Sequence, residues 1–210
     1  MPSVALTYPL PASLQSVPVY DGAASQIAEL YESTTFEQVH AGTIDMLPSP
    51  GASVLDIGAG SGRDAAALTA RGYRVTAVEP SQGLREQARH RHSGAAIEWL
   101  DDALPDLGTL GDRRFGFILV SAVWMHLALC DRPVAMRRLA QLLEPSGRLV
   151  ISIRLGPVDP SRGIFTITTP EVEAAATRAE LRVVRRINAV DALGRANVAW
   201  AALVLERLPH

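Results

Sequence analysis

"VLDIGAGSGRDAAAL", residues 54–68, decides how this chain is read. An apolar run ends in glycines at alternate positions, Gly58, Gly60 and Gly62, and an alanine-rich segment follows at once. A short apolar run bounded by glycine suits a buried strand, and alanine is the strongest helix former. The stretch therefore predicts strand, glycine loop and helix, with a loop that lets backbone come close to a ligand.

Outward from this point the alternation continues. "SVLDI" (53–57), "RVTAV" (74–78), "AIEWL" (96–100), "FGFILV" (115–120) and "GRLVISI" (147–153) read as strands, the last following the turn "EPSG". The helix after the glycine loop should stop near Gly72, a glycine cap. Others are expected over "LREQARHRH" (84–92), capped by Ser81, over "VAMRRLAQLL" (134–143), and from Thr169-Pro170, with the threonine as cap and the proline in the first turn. "LRVVRRI" (181–187) and "VAWAALVLERL" (198–208) flank the polar "NAVDALGRAN" (188–197) and read as a closing hairpin. The expected fold class is α/β: a doubly wound, seven-stranded, mostly parallel sheet with an antiparallel last strand. Residues 1–19 hold four prolines and read as an extended arm. Residues 20–50 read as a helical lid ended by Pro48 and Pro50, and residues 51–210 as the ligand-binding domain.

Composition narrows the function classes. At 210 residues and 48% hydrophobic content, one well-buried domain is expected. The net charge of −2 lacks the basic surplus usual in nucleic-acid binders, so no nucleic-acid partner is expected. All 20 basic residues are arginine, which excludes Schiff-base catalysis and the lysine-bearing phosphate loop. The single Cys130 cannot form an internal disulfide, and the five scattered histidines have no metal-ligand spacing, so no metal is expected. With no basic leader and no apolar run near the ~20 residues of a membrane helix, a cytoplasmic protein is expected, with no membrane association.

A dinucleotide loop requires G-x-G-x-x-G, and here Arg63 stands where the third glycine belongs. Three carboxylates sharpen the reading. Asp56, inside the strand end, is placed to face an ammonium group or its bound water. Glu79 ends the second strand, where it can accept from both hydroxyls of a ribose; Asp102 follows the third, where it can accept from an adenine amino group. Ligands of open α/β sheets lie outside the carboxyl ends of the strands, where these residues converge. Acidic groups without a lysine suit a cationic ligand that carries an adenosine, as S-adenosylmethionine does.

"VLDIGAGSGRD", "VTAVEPS", "IEWLDDALPDL", "FILVSAVWMHL" and "LLEPSGRLVISIR", in this order, resemble the class I S-adenosylmethionine-dependent methyltransferases of the small-molecule type. The resemblance spans residues 51–154 motif by motif. It implies S-adenosylmethionine as cofactor, S-adenosylhomocysteine as product and a small-molecule acceptor. Gly58, Ala59, Gly60 and Gly62 would pass under the methionine part. Glu79 and Pro80 would hold the ribose, and Leu100, Asp101, Asp102 and Ala103 would line the adenine site. Two departures are Gly116, where the family often has aspartate, and Pro145-Ser146-Gly147 in place of Pro-Gly-Gly. Arg63 is a candidate partner of the methionine carboxylate or a solvated arginine; Asp64 reads as a favourable charge at a helix N-terminus.

Methyl transfer is an in-line displacement in which positioning can supply ~7–11 kcal/mol, and a base is required only for a protonated acceptor. Ser121, Trp124, Met125 and His126 follow the fourth strand, beneath the transferring methyl by family likeness. His126 is the candidate base or orienting donor, or a histidine satisfied at a helix start; Trp124 is an acceptor contact or core. Arg154 and Arg162, in "RLGPVDPSRGIF" (154–165), are placed to receive an anionic group. In the lid, Tyr31 is expected near the cofactor and His40 near the acceptor, with Phe36 better explained by packing. His90 and His92 read as solvated. Competing readings are a methyltransferase of RNA or protein, a non-catalytic cofactor-binding module, and a nicotinamide oxidoreductase, which Arg63 disfavours.

Overall fold

The computed structural model describes residues 14–208. Most of the expected N-terminal arm lies outside these residues. Among the described residues the first α-helix, α1 (Val17–Gly22), opens three residues before the expected start, and α2 (Ala24–Glu32) and α3 (Phe36–His40) follow. Thr35 opens α3 in a capping box: its side chain accepts from the Gln38 N–H while Gln38 Oε1 accepts from the Thr35 N–H.

The alternating elements then follow: β1 (Ser53–Ile57), α4 (Arg63–Ala70), β2 (Arg74–Val78), α5 (Gln82–Arg91), β3 (Ile97–Leu100), β4 (Phe115–Val120), α6 (Arg132–Leu142), β5 (Leu143–Leu155), α7 (Thr169–Arg178), β6 (Leu181–Val190) and β7 (Ala199–Arg207). They form one seven-stranded sheet of order β3-β2-β1-β4-β5-β7-β6. β7 is antiparallel to both neighbours, and the other ladders are parallel, as expected. The order reverses between β1 and β4, which opens a crevice at their carboxyl ends.

Both faces of the sheet are covered, which is why its central strands read as continuous apolar runs. Along β4, Ile118 and Val120 join a core with Met136, Leu139 and Val172 on one face, while Phe117 and Leu119 join one with Ala65 and Leu68 on the other. Burying each large side chain contributes roughly 1.5–3 kcal/mol.

Three local readings change. "EPSG" does not precede β5 as a turn; β5 starts at Leu143, and the pairing jumps from Phe115–Leu143 to Phe117–Arg148 across a bulge. Gly147 permits this bulge, because a Cβ there would lie 3.0 Å from the Phe115 carbonyl oxygen. The cap of α7 is Thr168, whose side chain accepts from the Glu171 N–H, so Thr169 and Pro170 both lie in the first turn. β6 runs on to Val190, past the expected end, and leaves a shorter hairpin loop.

Candidate functional site

The glycine loop hangs from β2. The N–H groups of Gly58 and Ala59 both donate to the Val78 carbonyl, at 2.7 and 3.1 Å. Gly58 and Gly62 adopt φ of +67° and +85°, which L side chains rarely tolerate. A Cβ on Gly58 would stand 2.3 Å from Val123 Cγ2. One on Gly62 would crowd Ala88 of α5 and Trp99 of β3, so Gly62 sets the approach of loop, helix and strand and lines neither of the two cavities described below.

Glu79 closes the loop from the other side. Its Oε2 accepts from the Gly60 N–H at 2.8 Å and its Oε1 from the Ser81 N–H at 2.9 Å. Burial pushes its carboxyl up to about 6, and the Ser81 and Gly60 donors oppose the rise. Arg85 binds the Glu79 carbonyl and clasps Asp101 with both terminal nitrogens, at 2.9 and 2.7 Å. Asp101 therefore points away from the cavities, as a clamp on α5 rather than a wall of the adenine site.

Asp56 is buried at the end of β1, and its Oδ2 has no hydrogen-bond partner. Burial, reinforced by repulsion from Asp64, raises its carboxyl well above the usual range. Asp64 behaves oppositely. Burial opposes its ionisation, but His40 Nε2 at 2.7 Å from Oδ2 and Arg63 Nε at 2.7 Å from Oδ1 outweigh that and hold it well below the usual range. Arg63 also donates to the Tyr31 carbonyl at 3.0 Å and to Thr34 Oγ1 at 2.9 Å. Arg63, Asp64 and His40 thus form a buried tie, held by hydrogen bonds to the Asp64 carboxylate, that fastens the N-terminal helices to α4. Asp64 stands in the first turn of α4, as expected, and is buried there. A second tie is Asp21, whose Oδ1 accepts from Ser81 Oγ at 2.6 Å and from the Gly83 N–H at 2.9 Å.

Two adjoining cavities open at the carboxyl edge. The smaller, about 100 Å³, is walled by Glu79, Pro80, Asp102, Ala103, Leu104 and His126. The larger, about 200 Å³, reaches Ala59, Arg63, His40, Met125, Arg154 and Arg162. Tyr20, Tyr31, Gly58, Gly60, Ser121 and Ala122 line both and mark the junction. Asp102 accepts from its neighbour Ala103 N–H on one oxygen and from Thr109 N–H and Oγ1 on the other. Desolvation raises the Tyr31 hydroxyl above its ordinary value, so it remains protonated.

His126 lines only the smaller cavity. Its Nδ1–H donates to the Gly163 carbonyl at 3.1 Å, which leaves Nε2 to accept from the Tyr20 hydroxyl at 3.2 Å. Burial pushes its ring down to about 4, against the Gly163 carbonyl, so the imidazole is neutral. Trp124 is fully buried in the core and lies outside both cavities, which resolves its two readings in favour of packing. Phe36 is likewise core, and His92, expected in solvent, meets Glu32 of α2 at 3.1 Å.

Sequence reasoning missed Tyr20 at the junction and a frame on the closing hairpin. There Arg195 grips Asp191 at 2.6 Å and the Trp200 indole N–H donates to the same carboxylate at 2.8 Å. No local signal distinguishes these residues from a polar turn. Among the described residues no cluster of three or more metal-ligating side chains occurs, and no helix is long and apolar enough to cross a membrane.

Residues 55–151 match the methyltransferase domain family. A biotin biosynthesis bifunctional protein of Cellvibrio japonicus is 36% identical over 135 residues, which cover 62% of this chain and 26% of that protein. A ubiquinone biosynthesis O-methyltransferase of Xylella fastidiosa is 32% identical over 108 residues, 50% of this chain and 43% of that one. The chain thus spans less than half the length of either relative. The structure of a 1,6-didemethyltoxoflavin N1-methyltransferase from Burkholderia thailandensis shares the fold, with a TM-score of 0.71 at 21% identity over 97% of this chain and 94% of that one. By this match over residues 55–151, and with this strand order, the chain is similar to the class I S-adenosylmethionine-dependent methyltransferases.

Proposed function

We propose that the protein moves the methyl group of S-adenosylmethionine to a small molecule by in-line displacement. The observation that carries this reading is the pair of cavities that meet at the glycine loop, with a buried, unpartnered carboxylate oxygen on Asp56 beside them. That orphaned oxygen suits an ammonium group, directly or through water, since a buried polar atom without a partner is costly. Glu79 retains free lone pairs on both oxygens for ribose hydroxyls, and Gly58 has no room for a side chain. These features support the fit of S-adenosylmethionine. In this reading Asp56, Ala59 and Gly60 receive the methionine part, Glu79 and Pro80 the ribose, and Asp102 and Ala103 the adenine.

The bound sulfonium supplies both the activated methyl and its leaving group. The chain's own residues align and exclude water. Ser121, Tyr20 and Tyr31 frame the narrow junction through which the cavities communicate. α1 and α2, tied down by Asp21 and Arg63, act as the lid. The neutral His126 fixes the Tyr20 hydroxyl, so Tyr20 rather than His126 is the side chain that meets the acceptor.

The reading is tested by incubating the protein with methyl-labelled S-adenosylmethionine and either a metabolite extract or total RNA and protein. Label is expected in the small-molecule fraction. Label confined to RNA or protein would overturn the acceptor class.

A further inference from the structure

We propose that the acceptor carries a carboxylate received by Arg154 and Arg162 on the wall of the larger cavity, an inference that rests on the methyl-transfer reading above. Of the acidic residues and arginines lining this cavity, Arg63 pairs with Asp64 and Arg195 with Asp191, while Asp56, at the glycine-loop end, and these two arginines, on the opposite wall, stand outside such pairs. Among the described residues neither has a carboxylate within ion-pair distance. Arg154 donates to the Pro157 carbonyl at 2.7 Å. Arg162 reaches only the Tyr20 hydroxyl, at 3.4 Å, and stands 5.9 Å from the centre of that ring. Asp159, on the same loop, is turned to Ser161 Oγ at 2.5 Å.

Two half-buried cations gathered on one wall repel each other, and partial desolvation adds to the cost. Burial, Arg195 and Arg162 together depress the Arg154 guanidinium. An anion that enters the cavity relieves this strain, and a planar carboxylate matches the guanidinium fork. A guanidinium fork also receives phosphate, and the titration below separates the two anions by their shape and charge. The rest of the acceptor meets apolar groups: Val150, Ile164, Ile187, Leu193 and the Trp200 ring, whose plane the Asp191 frame holds. An apolar cavity of about 150 Å³ takes one benzene ring. This one, at about 200 Å³, also takes the methionine part of the cofactor at its Asp56 and Ala59 end, which limits the acceptor to a single-ring acid.

The test is calorimetric titration of the full chain, saturated with S-adenosylhomocysteine, by benzoate, benzamide and phenyl phosphate. Benzoate should bind at least about tenfold more tightly than benzamide, and Arg154→Gln and Arg162→Gln should each weaken it about tenfold. Raising sodium chloride from about 50 to about 500 mM should weaken benzoate and leave benzamide unchanged. Equal binding of benzoate and benzamide, absence of benzoate binding, indifference to both substitutions, or a preference for phenyl phosphate would each overturn the proposal. Affinity for S-adenosylhomocysteine, measured on the same samples, reports folding of the variants. If that affinity is absent in the wild type, the methyl-transfer reading fails, and benzoate titrated alone still reads the arginine pair.

Discussion

The smaller cavity draws its polar walls from the ends of adjacent strands, around Gly58 and Gly60, at residues 79–81 and at 102–104, through backbone groups and the two carboxylates of Glu79 and Asp102. The larger one collects side chains from α2, α3, the loop after β5 and the closing hairpin, segments far apart in sequence. One is a property of the sheet edge and the other an assembly of long-range contacts. The helical side of the larger one is fastened to α4 by the tie of Arg63, Asp64 and His40.

Breaking that tie should have the largest effect. Asp64→Ala leaves Arg63 without its buried counter-charge and His40 without its hydrogen-bond partner, and is expected to cost about 3–5 kcal/mol, read as a fall in the denaturant midpoint. Loss of under about 1 kcal/mol would mean that the helices are held by packing alone.

Next, Glu79→Gln should weaken S-adenosylhomocysteine by about 1–3 kcal/mol, the cost of losing hydrogen bonds to a charged group. The wild type should bind more weakly as pH falls through about 6, where Glu79 takes up a proton, and the variant should lose that dependence. The stability of the cofactor-free protein runs the other way. A carboxyl raised in the fold contributes stability that is fully present below its unfolded value near 4.5 and lost as pH rises through about 6.

Asp56→Asn separates binding from folding. With no partner for Oδ2, removal of the carboxylate should leave the cofactor-free protein as stable or more so, while affinity for S-adenosylhomocysteine drops several-fold, about 1 kcal/mol. Equal loss of both would make Asp56 a structural residue. The smallest effect is expected for Asp101→Ala: its partly exposed pair with Arg85 contributes about 0–1 kcal/mol, and cofactor affinity should not change.

The same contrast explains what could be read in advance. The alternation of strands and helices, the glycine loop and the position of Glu79 follow from short-range rules, where apolar runs, glycine spacing and a strand-end carboxylate decide the geometry. Arg63 and His40 were legible as polar residues near the ligand edge. Their pairing through Asp64 was not, because it depends on how α3 docks on α4. Tyr20 and the Asp191–Arg195–Trp200 frame carry no spacing signal at all; tertiary packing alone brings them to the cavities. Trp124 shows the converse: it sits among residues near the junction, yet the turn after β4 directs it inward to the core.

The most direct measurement is calorimetric titration of the purified protein with S-adenosylhomocysteine, in parallel with NADH. The account predicts micromolar binding of S-adenosylhomocysteine and none of NADH. Binding of NADH alone, or of neither ligand, would contradict it and remove the roles given to Asp56, Glu79 and Asp102.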